Sequence, residues 1–344
     1  MSNSFGRIFK LTTFGESHGA AIGGVLEGCP AGVDIDEGFI QAELDRRRPG
    51  QSDITTQRKE SDRVEILSGV FKGKSLGTPI GFLLRNEDHR SEDYDALKDI
   101  YRPGHADEVW DKKFGFRDHR GGGRSSARET ASRVVGGAIA KLFLKNKGVK
   151  IQAYVSSVKD VVLNLHHTSL DLTKTEENIV RCPDRATAQM MISLINETKA
   201  NGDSVGGVIS CVCSGIAAGL GEPVFDKLHA VLAHAMLSIN AVKGFELDDG
   251  FESTRRFGSE NNTILSGVAG GISNGRNIVF HVAFKPVSTI AKKQQAINSH
   301  GEEVALEAKG RHDPCVVPRA VPIVESMAAL VLADMLLLSR ANQI

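Results

Sequence analysis

Aromatic residues are scarce in this sequence, and neither sign of charge is in excess. Its 344 residues include one Trp, three Tyr and 15 Phe, and Lys+Arg and Asp+Glu both number 42. A nucleic-acid-binding protein usually carries a basic excess and rings on which bases stack, so any anion binding here is local. Cysteine is sparse too: Cys29, Cys182, Cys211, Cys213 and Cys315 make an odd set with no C-x-x-C pair. That argues against a disulfide framework and a zinc site, and makes a reducing compartment the default. HExxH is absent, and His229 and His234 are off the i,i+4 metal-binding face, so no metal is expected. The first residues lack an apolar signal core, and the longest apolar run, Met327 to Leu338, contains Asp334 and is too short to span a membrane. These absences imply a cytoplasmic protein with no membrane partner. No G-x-G-x-x-G opens a helix after a strand and no G-x-x-x-x-G-K-[ST] occurs, which removes support for a Rossmann site or a P-loop.

Glycine, by contrast, is abundant, at 36 residues. The densest segment is Arg117 to Thr130, with four arginines, three consecutive glycines and two serines, followed by the apolar run Val134 to Leu144. Glycines let backbone N–H groups approach a ligand, and a helix starting near Ala127 aims its positive end at whatever sits over the loop. The segment suits an anion; a loosely held nucleic acid is the competing reading.

The pattern predicts a helix over Asp36 to Arg47, capped by Asp36, and strands over Ala20 to Glu27, Val64 to Phe71 and Pro79 to Arg85. A long helix running to about Lys145, a strand over Lys150 to Val162 and a polar, peripheral section from Leu163 to Pro183 follow. Further on come a helix over Asp184 to Lys199, a strand over Val205 to Cys213 and a helix over Pro223 to Val242. A strand over Asn277 to Lys285 and a helix over Pro322 to Arg340 complete the expectation. Cys211 and Cys213 should share one face of their strand.

Ile66-Leu67-Ser68-Gly69-Val70 recurs as Ile264-Leu265-Ser266-Gly267-Val268, and Gly73 and Gly77 recur as Gly271 and Gly275, all at an offset of 198. Gly23-Gly24-Val25 and Gly206-Gly207-Val208, and the helices after Glu129 and Glu325, correspond in the same order. The repeat implies two related halves, about 1–150 and 200–344, with ligand between them.

Gly15-Glu16-Ser17-His18-Gly19 fits G-x-S-x-G, but a hydrolase elbow needs a helix after the serine and here a strand pattern follows. His18 then reads as an imidazole in a tight turn. His105 lies in Arg-Pro-Gly-His-Ala-Asp, where Pro103 and Gly104 make a sharp bend. A loop histidine in water and an imidazole presented to a cleft with its tautomer set by Asp107 both fit. Gly310-Arg311-His312-Asp313-Pro314 packs guanidinium, imidazole and carboxylate together, in either a surface turn or a site.

Together these stretches resemble the chorismate synthase family. The carriers are TTFGESHG (Thr12 to Gly19), LDRRRPG (Leu44 to Gly50), TTQR (Thr55 to Arg58), RPGHAD (Arg102 to Asp107), RGGGRSSARET (Arg120 to Thr130), GLGEPVFDKL (Gly219 to Leu228), SINAVKG (Ser238 to Gly244), GGISNG (Gly270 to Gly275) and GRHDPCVVPRAVPI (Gly310 to Ile323). The resemblance implies an α/β (α+β) fold, a β-α-β sandwich forming a single domain with internal pseudo-two-fold duplication, assembled as a homotetramer. It implies conversion of 5-enolpyruvylshikimate 3-phosphate to chorismate by 1,4-anti elimination of phosphate. The reaction needs reduced FMN without net redox change, with NADPH acting through a separate flavin reductase.

On the resemblance, Arg47, Arg48, Arg120 and Arg128 contact the phosphate and carboxylates of the substrate. His18 as an imidazolium stabilises the departing phosphate, His105 lies near the reduced flavin, and Asp313 assists at flavin N5. Flavin contacts carried over are Arg124, Ser125, Ser126, Asn240, Ala241, Gly270, Lys285, Pro286, Val287, Ser288, Thr289 and Arg311. Asp53 stands where many members have arginine, with Arg58 as a substitute, and His119 stands where some have tyrosine. A conventional flavin oxidoreductase that consumes NAD(P)H is the alternative enzyme, and a nucleic-acid-binding protein the alternative binding module.

Overall fold

The computed structural model describes residues 3–52, 54–55, 60–87, 98–307 and 313–342. The first half of the chain runs β1 (Ser4–Phe5), β2 (Lys10–Phe14), β3 (Ala21–Glu27), α1 (Glu37–Arg47), β4 (Val64–Ile66), the hairpin β5 (Val70–Phe71) and β6 (Lys74–Ser75), and β7 (Ile80–Arg85). After β8 (Ile100–Tyr101) and α2 (Asp107–Phe114) it closes on α3 (Thr130–Lys145). The second half runs β9 (Lys150–Val158), β10 (Val161–Val162), α4 (Arg185–Ala200), β11 (Gly207–Ser214), α5 (Leu228–Leu237), β12 (Val242–Leu247) and the short α6 (Gly258–Asn261). The hairpin β13 (Val268–Ala269) and β14 (Ile272–Ser273), β15 (Ile278–Phe284), the hairpin β16 (Gln294–Asn298) and β17 (Glu303–Leu306), and α7 (Val317–Ser339) complete it.

Two antiparallel five-stranded sheets hold the order β1-β2-β3-β7-β4 and β10-β9-β11-β15-β12. Stripped of their edge strands β1 and β10, the two orders match position by position, and the two small hairpins sit 198 residues apart, where the sequence repeats. α1, α3, α5 and α7 pack together as the middle layer. α3 contacts β2 and β3 of one sheet and β9 of the other, α7 contacts β9 and β11, and α3 and α7 pack together. The result is an α+β sandwich with its core between two sheets.

Local chemistry explains the central crossing. A Cβ on Gly137 of α3 would lie 2.2 Å from Ser326 Cβ of α7, and one on Gly136 would lie 2.9 Å from Leu11 of β2. Paired glycines let one helix approach a second helix and a sheet at once. α7 contains Pro322, which has no N–H to give the Pro318 carbonyl one turn back. Arg181 fills the gap: its Nη1 donates to that carbonyl at 2.6 Å. Arg181 is buried with its neighbours Val180 and Cys182, so the polar section is peripheral over most of its length and anchored in the core at its end. The 23-residue α7 is apolar and long enough to cross a membrane by composition, more so than its apolar run alone suggests, but its most apolar window is 83% buried inside the protein. A helix apolar on all sides is what a core demands.

Several sequence expectations shift. The strand expected over Val64 to Phe71 is two strands, broken at Gly69 with φ +78°. The strand expected to Val162 reverses at Lys159, φ +48°. The helix expected over Pro223 to Val242 is confined to Leu228–Leu237, because Ala241 at φ +68° turns the chain into β12. The final helix starts at Val317, five residues early, since Pro318 fits the first turn of a helix. Cys211 and Cys213 share a face, with Sγ atoms 4.0 Å apart.

Candidate active site

A cavity of about 420 Å³ lies where segments of both halves converge. It is lined by Arg47 at the end of α1, by Gly104–Ala106, by Gly121 and Ser125–Ala127 with Thr130, by Ile239–Ala241, by Phe284, Lys285 and Val287–Thr289, and by Asp313, Val316, Arg319, Ala320 and Ile323. Its size suits a small ligand. A larger cleft of about 1800 Å³, lined among others by Trp110, Arg117, Arg120 and Arg124, adjoins it and shares Ala106, Ser125 and Asn240.

The glycine run shapes the wall. Gly121, Gly122 and Gly123 have φ values of +62°, +84° and +54°. A Cβ on Gly121 would lie 2.3 Å from His18 Cε1, and one on Gly122 would lie 3.2 Å from His105 Cε1. Backbone without side chains therefore threads between the two imidazoles. His18 is 5% exposed and stands behind Gly121 rather than on the cavity surface, with its Nδ1 3.2 Å from Ser17 Oγ.

His105 faces the cavity from a braced loop. Its Nδ1 lies 2.9 Å from Asp107 Oδ1, and Arg102 grips the same carboxylate through Nε at 2.8 Å and Nη2 at 3.0 Å. Arg102 Nη2 also lies 3.1 Å from His105 Nδ1, since both nitrogens point at one acceptor. Burial opposes the Asp107 charge, but the His105 and Arg102 contacts outweigh it and hold the carboxyl well below the usual range. An ionised carboxylate at Nδ1 keeps the proton there and leaves Nε2 as the ring's other polar atom. Lys285 Nζ and Ser288 Oγ both donate to the Gly104 carbonyl, at 2.9 and 2.7 Å, and so tie this loop to the second half. Burial and the nearby Lys243 lower the Lys285 pKa.

Asn240 Nδ2 donates to the Ser125 carbonyl at 2.9 Å, joining the serine loop to the turn after α5. Its Oδ1 is buried without a hydrogen-bond partner among the described residues. The next residue, Ala241, carries the left-handed backbone noted above, which is unusual for a non-glycine residue. Asp313 pairs with Arg319 at 2.5 Å, and Arg319 Nε donates to the Arg47 carbonyl at 3.2 Å.

The expected arginines divide. Arg47 lines the cavity, and its Nη1 pairs with the fully buried Asp62 at 3.0 Å. Burial, offset by Asp62 and reinforced by Arg319 and Arg128, brings the Arg47 pKa down to about 10. Arg128 is buried behind the cavity and pairs with the other oxygen of Asp62. Arg120 lines the larger cleft, where Asp118 holds it bidentately at 2.8 and 3.0 Å. Arg124 also lines the larger cleft and donates to the Thr13 carbonyl at 2.8 Å. Arg48 is exposed and 3.5 Å from Asp45. Of the expected flavin contacts, Ser125, Ser126, Asn240, Ala241, Lys285, Val287, Ser288 and Thr289 line the smaller cavity. Pro286 lies between two of them, and Gly270 sits apart at the tip of the β13–β14 hairpin. Asp53, Arg58 and Arg311 lie outside the described residues, and His119 lines the larger cleft.

Arg319, Thr130, Asp62 and Asn86 belong to this site or its support, and motif reading passed over them as site residues. Arg319 and Thr130 lay inside the quoted motifs, so a signal existed; Asp62 and Asn86 had none. Among the described residues, no group of three or more His, Cys, Asp or Glu stands together as a metal site.

Comparison with known proteins supplies a family. The family model for chorismate synthase matches residues 9–337. The chorismate synthase of Christiangramia forsetii is 59% identical over 353 residues, covering 99% of each chain. That of Bacteroides fragilis is 55% identical over 358 residues and covers 100% of each. A crystal structure of chorismate synthase superposes with a TM-score of 0.76 at 33% identity, covering 97% of this chain and 93% of that one.

Proposed function

The chain belongs to the chorismate synthase family and is a chorismate-forming lyase of the shikimate pathway, and on that premise we propose that the 420 Å³ cavity is where 5-enolpyruvylshikimate 3-phosphate meets reduced FMN. The observation that carries this reading is the convergence of His105, Asn240, Lys285, Asp313 and Arg319 from four separate stretches on one cavity.

The cavity fits a flavin. The Asn240 Oδ1 is a buried acceptor lacking a donor, and a flavin offers ring N–H and ribityl O–H donors. The hydroxyls of Ser126, Ser288 and Thr289 and the ammonium of Lys285 suit its polar groups and phosphate. When bound, the reduced flavin supplies an electron-rich ring nitrogen able to take up the substrate hydrogen.

The remaining work falls to the chain. Arg47 and Arg319 offer guanidinium donors to the substrate's anions, while Arg128 supports Arg47 from behind. As the C–O bond breaks, negative charge grows on the departing phosphate, and a cationic His18 behind Gly121 stabilises it through space. His105, with its proton fixed at Nδ1 by Asp107, presents Nε2 to hold or move a proton beside the flavin. Asp313, held by Arg319, is the carboxylate at the same wall. Arg48, Arg120, Arg124, Pro286, Gly270 and Arg311 are the further contacts proposed from the family; the first five do not line the cavity, and Arg311 lies outside the described residues.

The same reading takes the chain as one domain of two related halves and as a homotetramer. Phe225, Phe251 and Phe257, exposed at 91%, 84% and 79%, support burial by other copies. A cytoplasmic setting is supported by five free cysteines, all buried. An NADPH-dependent flavin reductase supplies the reduced FMN. The test is anaerobic turnover with dithionite-reduced FMN. Phosphate and chorismate should appear in equal amounts while the reductant is not consumed in proportion. Absence of phosphate release contradicts the reading, and stoichiometric loss of reductant favours an oxidoreductase.

A further inference from the structure

Arg47 on the cavity wall and Arg128 behind it are not free side chains reaching for a ligand. They share one buried carboxylate. Asp62 is 0% exposed, with Oδ2 3.0 Å from Arg47 Nη1 and Oδ1 bonded to Arg128 Nη1. It sits in left-handed backbone, φ +46°, and its carbonyl accepts from Gln41 Nε2 of α1 at 3.2 Å. An aspartate in that conformation persists when its surroundings over-determine it. Arg47 spends further donors on fixed protein acceptors, Nε on Thr130 Oγ1 at 3.3 Å and Nη2 on the Ala127 carbonyl at 3.0 Å.

The chain of contacts continues beyond Arg128. Its Nε donates to Asn86 Oδ1 at 2.9 Å. The other end of that amide, Nδ2, donates to the carbonyls of Glu16 and Gly19 at 3.0 and 2.8 Å. These two carbonyls bracket His18. One side chain thus clasps the turn that carries His18 and grips the guanidinium behind the cavity. Asn86, Arg128, Asp62 and Arg47 form one continuous, buried row from the imidazole turn to the cavity wall.

We propose that Asp62 and Asn86 are positioning residues for the reaction, setting the Arg47 and Arg128 guanidiniums against the turn that carries His18. The proposal rests on the reading that Arg47 receives the substrate's anions. Two guanidiniums buried side by side repel each other, and Arg319 adds a third cation near Arg47, with Asp313 on its far side. Asp62 is the carboxylate between the first two, so it keeps both charged and in place. Asn86 does the same for direction without adding charge.

The experiment measures calorimetric affinity for 5-enolpyruvylshikimate 3-phosphate and steady-state phosphate release in wild type, Asp62→Asn, Asn86→Leu, Arg47→Ala and the Asp62→Asn/Arg47→Ala pair. Melting temperatures and FMN affinity are recorded alongside. Asp62→Asn should weaken substrate affinity and raise KM by roughly 10- to 100-fold. Asn86→Leu should lower kcat by roughly tenfold with a smaller change in KM, because it loosens the His18 turn more than Arg47. The double variant should be little worse than Arg47→Ala alone, since both changes remove one unit. FMN affinity should stay close to that of wild type in all of them.

Lowered melting temperatures with unchanged KM and kcat in both Asp62→Asn and Asn86→Leu would overturn the proposal, as would tighter substrate binding in Asp62→Asn, which would make Asp62 a competitor. If Asp62→Asn does not fold, Asn86→Leu decides alone, and wild-type kcat in that variant overturns the proposal. An unchanged KM in Arg47→Ala contradicts the underlying reading of the arginine instead.

Discussion

Replacing His105 with alanine is expected to lower turnover by roughly 10²- to 10⁴-fold while leaving FMN binding close to that of wild type. The imidazole lines the cavity, and its Nδ1 is committed to a carboxylate that Arg102 holds by two further bonds. Such bracing matters for a group that must hand over or hold a proton in one direction, and means little for a wall residue. Its loop is fastened to Lys285 and Ser288, so deleting one ring should not collapse the loop. Asp107→Asn should mimic part of the loss by freeing the tautomer. His18→Ala is expected to lose turnover as well, from behind the Gly121 backbone. Anaerobic kcat and a flavin titration on each variant check the result. Near-wild-type kcat in His105→Ala would reduce that imidazole to packing.

The second large effect is on stability. Glu325 on α7 is buried, and its Oε2 accepts from Arg46 Nη1 and from Lys141 Nζ, each at 2.6 Å. Its Oε1 accepts from the Ala153 N–H at 2.9 Å, and Glu43 bridges the same two cations. The cluster ties α1, α3, α7 and β9 together at the centre of the sandwich. Burial opposes the Glu325 charge, but Arg46 and Lys141 overcome it and hold its pKa down to about 2, against an ordinary 4.5.

Glu325→Gln should cost about 3–5 kcal/mol, because it removes a buried carboxylate and leaves two partly buried cations sharing Glu43. For a chain of this size that is roughly a 5–10 °C fall in Tm. The folded-state pKa is depressed, so the stabilisation is present above the unfolded value and is lost as pH falls. The gap between wild type and variant should therefore be full at pH 6 and shrink as pH drops from about 4.5 toward about 2. A gap that ignores pH, or a cost below about 1 kcal/mol, would show that the cluster stabilises by packing alone.

Much of the fold could be read from local pattern. The repeated Ile-Leu-Ser-Gly-Val segments mark matching hairpins, because Gly73 and Gly77 in one half and Gly271 and Gly275 in the other all take positive φ at the same offset, although Gly69 has positive φ and its counterpart Gly267 does not. What misled was length. A helical pattern over Pro223 to Val242 hid the start of β12, since the turn at Ala241 is set by Asn240 reaching Ser125, 115 residues away in sequence. The site divided in the same way. His105 and Asp313 sat in dense motifs and line the cavity, as does Lys285, which lay outside the quoted motifs and came from the family resemblance. His18 sat in an equally dense motif yet lies behind Gly121, because motif density cannot tell a wall from the layer behind it. Asp62 and Asn86 carry no motif at all. Their importance arises from burial and from which guanidiniums they touch, quantities that exist once the chain has folded.

The central claim is that the reaction site is the cavity between the two halves. Hydrogen exchange with and without FMN and 5-enolpyruvylshikimate 3-phosphate tests it most directly. Joint protection is expected of residues 104–106, 121–127, 239–241, 285–289 and 313–323, segments from both halves that contribute lining residues to that cavity. Protection confined to one half, or concentrated away from these segments, would contradict it.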